Sequence, residues 1–379
     1  MARAINFGAG PGMIPEAVLF EAQRQFLDYH GRGFSILEAS HRGPEVQAIM
    51  RELRASIRGL LAIPDNYDIL FCQGGGRLQF AMVPMNLLGA GTTASYIVTG
   101  TWSRTAAKEA LRFGRAQIAF SGGGIRTPEP EEINVVPEAS YCYYCDNETI
   151  HGVEFPAPVE LEDGAVPLVA DMTSNFMTRP FDAKRFGLVF AAAQNDFGAA
   201  GLTVVIVRRD LLGLASPEVP TLMNYAVFSR TASVPNTPPV FPIYIAKLYA
   251  DWIEREGGVE VMAARAKERS ALLYEVLDEL PAFYRSTAER RCRSRINVVF
   301  QLPNEAVTEK FLREAAGEGF IGLAGHRTVG GCRATLNNAV PTEAVDKLAR
   351  FMRRFAEQNA GSAPEPAAPR ETPSDAEYL

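Results

Sequence analysis

Apolar residues in the first part of the chain follow two patterns that alternate along the sequence. Short apolar runs rich in β-branched residues, such as 202–207, have the length and composition of buried strands. Longer segments carry an apolar residue at every third or fourth position, as 45–62 does, and this spacing predicts amphipathic helices. Because several strands are apolar throughout and are separated by helices, the pattern predicts a mainly parallel sheet with helices on both faces.

These patterns define the elements expected before residue 208. Pro15, at a first-turn position, starts a helix that Gly31 is expected to end. Further helices are predicted at 45–62, 78–88 and 106–113, and strands at 69–71, 96–98, 116–120, 140–145, 166–170, 188–192 and 202–207.

The pattern changes after residue 207. The proline-rich stretch Ala215–Pro242 is only weakly periodic, so it is predicted to be a long ordered connection or a substrate loop, without a helix or strand of its own. The remaining elements are expected in the order helix 243–255, helix 259–280, strand 297–301, helix 305–318, strand 332–336 and helix 342–358.

This change divides the chain into two expected domains. The large domain spans residues 16–258, and the small domain combines residues 1–15 with residues 259–360. Residues 361–379 are rich in proline and poor in apolar side chains, which predicts a disordered tail.

The composition is that of an ordinary globular protein. The chain has 379 residues, of which 47% are hydrophobic and 22% charged, and its net charge is −6. This charge gives no reason to expect nucleic acid or an anionic membrane as a partner. No apolar run approaches the roughly 18 residues of a membrane span, and the N-terminus lacks a secretory signal, so we expect a cytoplasmic protein.

Cysteine usage points to neither disulfides nor a metal. The chain has five cysteines, an odd number, and a single CxxC pair formed by Cys142 and Cys145. No second pair and no histidine cluster completes a zinc set, and both residues lie in a strand-like run. We therefore interpret this pair as structural.

Three kinds of motif are candidates for chemistry. The Gly74-Gly75-Gly76 turn lies between a strand and a helix start, where free N–H groups and the helix dipole can hold a phosphate; a tight connection is the competing interpretation. Asp171 follows an apolar strand, a position suited to ligands in α/β sheets, although a turn-capping aspartate fits the same pattern. Loop arginines suit carboxylates and phosphates, or are simply solvated charges.

The stretch from Ala191 to Gly201, AAAQNDFGAAG, joins two apolar strands through a glycine-rich turn. With the FCQGGGRLQF stretch, it gives the sequence a resemblance to the phosphoserine aminotransferases, which are class V aminotransferases dependent on pyridoxal phosphate. The resemblance implies an α/β fold-type-I architecture, a homodimer, and pyridoxal 5'-phosphate or pyridoxamine 5'-phosphate as cofactor. In that family a lysine of this stretch forms a Schiff base with the cofactor, but here the position is Asn195. An amide cannot form this bond, so noncovalent cofactor binding is expected.

The resemblance also implies roles for individual residues. The positions that match cofactor-binding residues are Gly76 and Arg77 for the phosphate, Trp102 for ring stacking, Thr149 for the ring hydroxyl, Asp171 for the ring nitrogen, Gln194 for the phosphate, and Asn236 and Thr237 for the phosphate of the partner's cofactor across the dimer interface. The positions that match substrate-binding residues are Arg42 for the α-carboxylate, and His41, Arg77, His326 and Arg327 for the phosphate.

Several positions depart from the family pattern. Asp196 replaces an asparagine, Ala199 a proline and Leu78 a small residue, and the family motif RxSxYN reads RATLNN over residues 333–338. The six lysines lie at positions 108, 184, 247, 267, 310 and 347, outside every cofactor motif.

Three functions remain open at this point. The first is an enzyme that acts on a phosphorylated or similarly acidic amino acid with a noncovalent cofactor, using a substitute base such as His41 or Asp196. The second is a non-catalytic protein that binds the cofactor or a phospho-amino acid. The third is a lysine-independent lyase or dehydratase on a related substrate.

Overall fold

The computed structural model describes residues 3–161 and 166–361. The tail predicted to be disordered lies, apart from Gly361, outside these residues. The strands are β1 (Ile5–Asn6), β2 (Tyr67–Gln73), β3 (Thr93–Val98), β4 (Arg115–Ser121), β5 (Cys142–Cys145), β6 (Asn147–Glu148), β7 (Val153–Glu154), β8 (Leu168–Asp171), β9 (Leu188–Ala192), β10 (Leu202–Arg208), β11 (Arg285–Ser286), β12 (Asn297–Gln301), β13 (Phe320–Ile321) and β14 (Cys332–Thr335). The helices are α1 (Glu16–Arg24), α2 (Pro44–Leu60), α3 (Gly76–Leu87), α4 (Thr101–Ala110), α5 (Tyr225–Arg230), α6 (Val240–Arg255), α7 (Val259–Glu279), α8 (Glu305–Gly317) and α9 (Thr342–Gln358).

The centre of the molecule is a seven-stranded sheet in the order β2-β10-β9-β8-β5-β3-β4. Only β10 runs antiparallel to its neighbours, β2 and β9, and the other neighbouring strands are parallel. The predicted mainly parallel sheet is therefore confirmed. The carboxyl ends of its parallel strands meet at one edge, which is where α/β sheets bind ligands.

Both faces of this sheet are buried. On β2, Ile69 and Phe71 belong to a core that includes α2 and α6, whereas Leu70 and Cys72 belong to a core that includes α3 and α4. This alternation explains why β2 is apolar at nearly every position: each face of the strand needs its own apolar side chains.

A further core lies in the C-terminal part of the chain. It is formed by α7, α8 and α9 with the antiparallel sheet β11-β12-β14, and it includes Phe7 and Met13 from the N-terminus. Strand β1 pairs in parallel with β13, Ile5 facing Phe320. This packing supports grouping the first residues with the C-terminal unit, and the domain boundaries themselves stay a prediction.

The first helix is shorter than its sequence predicts. It ends at Arg24 rather than at Gly31. The side chain of Gln25 accepts a hydrogen bond from the His30 N–H at 2.7 Å, and Asp28 accepts one from the Gly33 N–H at 2.7 Å. These side-chain acceptors compete with helical carbonyls and turn the chain instead of extending the helix.

The prediction that residues 215–242 contain no helix or strand is wrong. This stretch contains α5 and the start of α6. Tyr225, the first residue of α5, is buried and donates its hydroxyl to Gln79 and its N–H to Asn86. Tertiary contacts therefore supply the order that this stretch lacks in sequence periodicity.

Among residues 3–161 and 166–361, no helix is long and apolar enough to cross a bilayer. All five cysteines are free and buried. The same described residues include no group of three or more histidine, cysteine or acidic side chains that could hold a metal ion.

Candidate active site

A cavity of about 380 Å³ opens at the carboxyl edge of the central sheet. Its walls come from the N-terminal loop, from the loops after the parallel strands, and from the C-terminal unit. The lining residues are Ala9, Gly10, Gly74, Gly75, Gly76, Arg77, Phe80, Trp102, Cys145, Asn147, Thr149, Ile150, Asp171, Thr173, Ser174, Gln194, Asn195, His326 and Arg333. Eight of the predicted site residues are in this set, from Gly76 at the phosphate turn to His326.

The glycine turn at one end of the cavity is shaped for a small anion. Helix α3 begins at Gly76, and Gly75 before it has no side chain to cap the first-turn N–H groups. Gly74 and Gly75 have φ angles of 107° and 103°, which only glycine adopts without strain. A side chain at Gly76 would approach the Thr173 hydroxyl at 3.1 Å. The turn therefore leaves both space and free donors for a phosphate.

Asp171 is the last residue of β8 and lines the cavity. It is 5% exposed, and its Oδ1 accepts a hydrogen bond from the Thr173 N–H at 2.9 Å. Burial raises the pKa of this carboxyl from 3.8 to about 6, against the opposing effect of the Thr173 hydrogen bonds. The carboxylate is therefore mostly ionised at neutral pH and suits a protonated ring nitrogen.

Trp102 and Thr149 line the same cavity from two different elements. Trp102 lies in the first turn of α4, and Thr149 lies in the turn that joins β6 to β7. Both are partly buried. An aromatic face, a hydroxyl and the Asp171 carboxylate around one cavity are the contacts that a phosphorylated pyridine ring requires, so the residues present fit that cofactor.

Asn195 faces this cavity from the turn between β9 and β10. It is 6% exposed, and its Oδ1 is buried without a hydrogen-bond partner among the described residues. The Asn337 side chain donates to the Asn195 carbonyl at 3.2 Å, and Gly12 donates to the Gln194 carbonyl at 2.8 Å. A side chain at Gly10 would lie 2.3 Å from Oδ1, so the N-terminal loop packs closely against this amide.

None of the lysines of the chain lines the cavity. All six lysines lie within the described residues, and none belongs to the lining. The two alternative bases suggested by the sequence, His41 and Asp196, do not line it either. The Asp196 side chain instead accepts a hydrogen bond from the Asn338 N–H at 3.0 Å. Neither residue therefore reaches this cavity within one chain, and a role as substitute base stays a prediction.

Asp196 is buried in a polar cluster behind Asn195. Its Oδ2, the Tyr249 hydroxyl and Nη2 of Arg269 are buried and have no hydrogen-bond partner among the described residues, which suits internal water. Burial raises the pKa of the Asp196 carboxyl from 3.8 to about 7, although the Asn338 N–H and the Arg269 charge lower it. The folded state therefore binds a proton that the unfolded state releases at lower pH.

This elevated pKa predicts a pH-dependent loss of stability. The unfolded state ionises near pH 4, so stability falls as the pH rises from there to about 7. Asp196→Asn keeps an acceptor for the Asn338 N–H and removes the titration. Relative to this variant, the wild type should lose roughly 3 kcal/mol between about pH 5 and pH 8, because each pKa unit corresponds to about 1.4 kcal/mol. Urea unfolding of both proteins at both pH values measures the free energy of unfolding. The same pH dependence of this free energy in the wild type and in Asp196→Asn would contradict the prediction.

The predicted substrate-binding residues separate into two groups. Arg77 and His326 line the cavity. The other three, His41, Arg42 and Arg327, do not, and both of these arginines are exposed. The predicted cross-dimer pair, Asn236 and Thr237, is likewise exposed and outside the lining. Arg42, expected to bind the α-carboxylate, is thus exposed and outside the cavity of one chain, and its role stays a prediction.

Arg333 is a cavity residue to which the sequence assigned no role. It comes from β14, and its Nη1 donates to the Thr149 carbonyl at 3.2 Å. Its Nε is buried without a partner in the described part of the chain, and burial lowers the pKa of the guanidinium. A partly buried cation without a carboxylate partner is suited to an anionic ligand. The signal in the sequence was the arginine retained at the start of RATLNN.

His326 is held as a neutral hydrogen-bond donor. The Thr328 N–H donates to Nδ1 at 3.3 Å, so Nδ1 is unprotonated in the neutral ring and Nε2 carries the proton. Burial lowers the pKa of this imidazole, and the charges of Arg333 and Arg327 lower it further. The ring can therefore donate to a phosphate oxygen through Nε2 without adding a charge.

Comparison with known proteins identifies the family of this chain. Residues 4–348 match the family model for class V aminotransferases. The phosphoserine aminotransferase of Laribacter hongkongensis is 47% identical over 357 residues, which cover 93% of this chain and 99% of that protein. That of Geobacillus kaustophilus is 44% identical over 358 residues, covering 94% of this chain and 99% of its own length.

Solved structures give the same result. Phosphoserine aminotransferase from Bacillus circulans subsp. alkalophilus superposes with a TM-score of 0.91 at 41% identity, covering 94% of this chain and 99% of its own. The pyridoxal-phosphate-bound enzyme from Trichomonas vaginalis gives a TM-score of 0.88 at 36% identity, covering 93% and 100%. The predicted fold-type-I architecture is confirmed, and relatives of this kind use pyridoxal 5'-phosphate. This chain belongs to the class V aminotransferase family.

Proposed function

We propose that this protein binds pyridoxal 5'-phosphate or pyridoxamine 5'-phosphate without a covalent bond, together with phosphoserine or a similarly acidic amino acid, and that its transamination is slow or absent. The observation that carries this proposal is the composition of the cavity. It keeps the phosphate turn, Trp102, Thr149 and Asp171, but Asn195 stands at the lysine position and no lysine lines it.

The residues of the chain would share the work of binding as follows. The first-turn N–H groups of α3 would hold the phosphate, and Trp102 would cover one face of the ring. Asp171 would keep the ring nitrogen protonated. The cofactor, when bound, supplies an electron sink for a carbanion at the amino acid's α-carbon.

The substrate would be recognised through its negative charges. Arg333, next to Thr149, is the proposed partner of the α-carboxylate, because its guanidinium is partly buried at the cavity and pairs with no carboxylate among the described residues. Arg77 and the Nε2–H of His326 are the proposed donors to the phosphate. Three cationic or hydrogen-bond-donating side chains around one cavity favour a ligand with two anionic groups.

Proton transfer is the step that this cavity supports least. A lysine amine would move the proton between the α-carbon and the cofactor, whereas the Asn195 amide neither gains nor loses a proton near neutral pH. The Cys145 thiol donates to the Asn147 carbonyl at 3.4 Å, and burial raises its pKa well above 9. These observations favour, as a second candidate function, a non-catalytic protein that binds cofactor or phospho-amino acid.

A second copy of the chain is the proposed source of the missing site residues. The segment from Leu19 to Leu37 exposes large apolar side chains, with Phe20 62% and Leu27 84% exposed. Such a patch is typical of an interface. His41 and Arg42 follow this segment directly, so a homodimer would bring them, with Asn236 and Thr237, to the partner's cavity.

Borohydride reduction in the presence of pyridoxal 5'-phosphate tests the noncovalent mode. Binding should be saturable by absorbance and reversible by dialysis, because the ring and phosphate contacts are present and the amine is missing. Mass spectrometry after reduction should find no stoichiometric pyridoxyl adduct on any of the six lysines. The Asn195→Lys variant is the matched control and should carry one adduct at position 195.

Two results would contradict this proposal. A stoichiometric adduct on one natural lysine would reveal a substitute amine. Failure of the wild type to bind pyridoxal 5'-phosphate, at concentrations that saturate the control variant, would remove the cofactor from the function.

A further inference from the structure

Glu148 is a fully buried carboxylate that faces the start of α4, the helix that carries Trp102. It is 0% exposed. Its Oε2 accepts the Trp102 N–H at 3.0 Å, and its Oε1 accepts the Ser103 N–H at 2.8 Å and the Ser103 hydroxyl at 2.6 Å. Hydrogen bonds to a carboxylate are stronger than neutral ones, so this group makes a firm connection.

The connection joins two segments that are far apart in sequence. Glu148 ends β6 and directly precedes Thr149 at the cavity, whereas Trp102 enters the cavity from α4. Thr101 adds a second link, since its hydroxyl lies 2.9 Å from Nε2 of His151 on the same turn. The two side chains expected on the cofactor ring are therefore held together by protein contacts.

The need to cap α4 does not by itself explain why the Glu148 carboxylate is buried at the start of this helix. The Ser103 hydroxyl already accepts hydrogen bonds from the N–H groups of Thr99 at 3.0 Å and Gly100 at 3.2 Å, which organises this helix start locally. A side chain at Gly100 would lie 2.6 Å from the Glu148 carboxyl carbon, so the helix start has no room beside this group. The local sequence supplies the cap, and Glu148 supplies the link to the Thr149 turn.

The opposite side of this turn is anchored independently. Asn147 donates its amide to Asn297 at 2.7 Å and to Ser174 at 2.9 Å, and Arg333 bonds the Thr149 carbonyl. With the turn fixed on that side, the Glu148 contacts determine where the first turn of α4 lies relative to Thr149.

We propose that Glu148 is a positioning residue that sets the place of the Trp102 ring relative to Thr149, so that both contact one pyridine ring. The proposal rests on the proposed binding of pyridoxal 5'-phosphate. Its consequence for binding is selective: losing the link weakens ring contacts and leaves the phosphate turn at Gly76 intact.

Glu148→Gln is the informative variant. A glutamine has one acceptor oxygen, so its NH₂ group would face either the Trp102 N–H or the Ser103 donors, and one contact would be lost. Ser103→Ala removes the hydroxyl donor to Glu148 and also the acceptor of the Thr99 and Gly100 N–H groups, so it is a supporting variant that leaves the Glu148 side chain itself unchanged. The matched control is Glu154→Gln, which alters another buried carboxylate, on the neighbouring strand β7, whose partners are Arg295 and Asn175.

Two readouts are needed, and one requires no cofactor. The chain has two tryptophans, so in a Trp252→Phe background the fluorescence of the apoprotein reports on Trp102 alone. Glu148→Gln should shift this emission and increase acrylamide quenching. It should also weaken binding of pyridoxal 5'-phosphate by on the order of tenfold, as loss of one charged hydrogen bond implies, while inorganic phosphate binds as in wild type.

The outcomes separate the two proposals. The positioning role would be overturned if Trp102 emission were unchanged in Glu148→Gln and Ser103→Ala, and if the ratio of the affinities for pyridoxal 5'-phosphate and inorganic phosphate were also unchanged. The same changes in Glu154→Gln would also overturn it, because they would reflect general loosening of the hairpin. If the wild type binds no pyridoxal 5'-phosphate, the proposed function fails, and the apoprotein fluorescence still decides the role of Glu148. If Glu148→Gln does not fold, Glu148→Asp, whose shorter side chain withdraws the carboxylate from the helix start, gives the same test of Trp102 fluorescence.

Discussion

Replacing Asn195 by lysine is expected to give covalent attachment of pyridoxal 5'-phosphate and measurable transamination between phosphoserine and 2-oxoglutarate. The lysine amine would condense with the cofactor's aldehyde and release water, and the substrate amine would later displace it. The freed amine would then move the proton at the α-carbon, a general acid–base step that contributes on the order of 10²–10⁴-fold. Absorbance of the bound cofactor and a coupled assay of the products measure both effects.

Asn195→Met is the control for this experiment. Methionine fills the same space with an unbranched chain of similar length but carries no amine, so it should remain as slow as the wild type. Wild-type turnover comparable to that of an ordinary aminotransferase would contradict the expected effect. A lysine variant that binds the cofactor covalently yet loses an activity present in the wild type would show that the amide serves another reaction.

The cationic groups of the cavity should divide the recognition of phosphoserine between them. Because Arg333 is proposed to bind the carboxylate, Arg333→Gln should weaken phosphoserine and serine alike, by about 10- to 100-fold, the range expected for a charged hydrogen bond. Arg77→Ala should weaken phosphoserine by a similar factor and leave serine unaffected, so the preference for phosphoserine disappears. Calorimetric titration of the cofactor-loaded protein with both amino acids measures the two affinities.

Arg112→Ala is the matched control for these substitutions. Arg112 is exposed, pairs only locally with Glu109 at 3.1 Å and does not line the cavity, so its loss should change neither affinity. Equal affinity of the wild type for serine and phosphoserine would contradict the proposed binding of the substrate phosphate by Arg77 and His326. Loss of phosphoserine binding alone in Arg333→Gln would reassign that guanidinium to the phosphate.

Elements with an uninterrupted local pattern were predicted closely. The bounds of β9, β12 and α9 agree with the sequence prediction to the residue. Each of these elements buries side chains at the period of its own backbone, so the apolar pattern alone identifies it. Strands of two residues, such as β1 and β6, were missed because they are too short to show a period and exist through pairing with distant segments.

The sequence by itself predicted the family and the mainly parallel sheet, because both follow from local motifs and from the apolar pattern along the chain. Only the tertiary structure decided which distant side chains share the cavity. It brought in Arg333 from the C-terminal unit, turned Asp196 away into a buried cluster, and left Arg42 outside. The physical reason is that burial, charge pairing and direction of a side chain depend on neighbours that the chain supplies from hundreds of residues away.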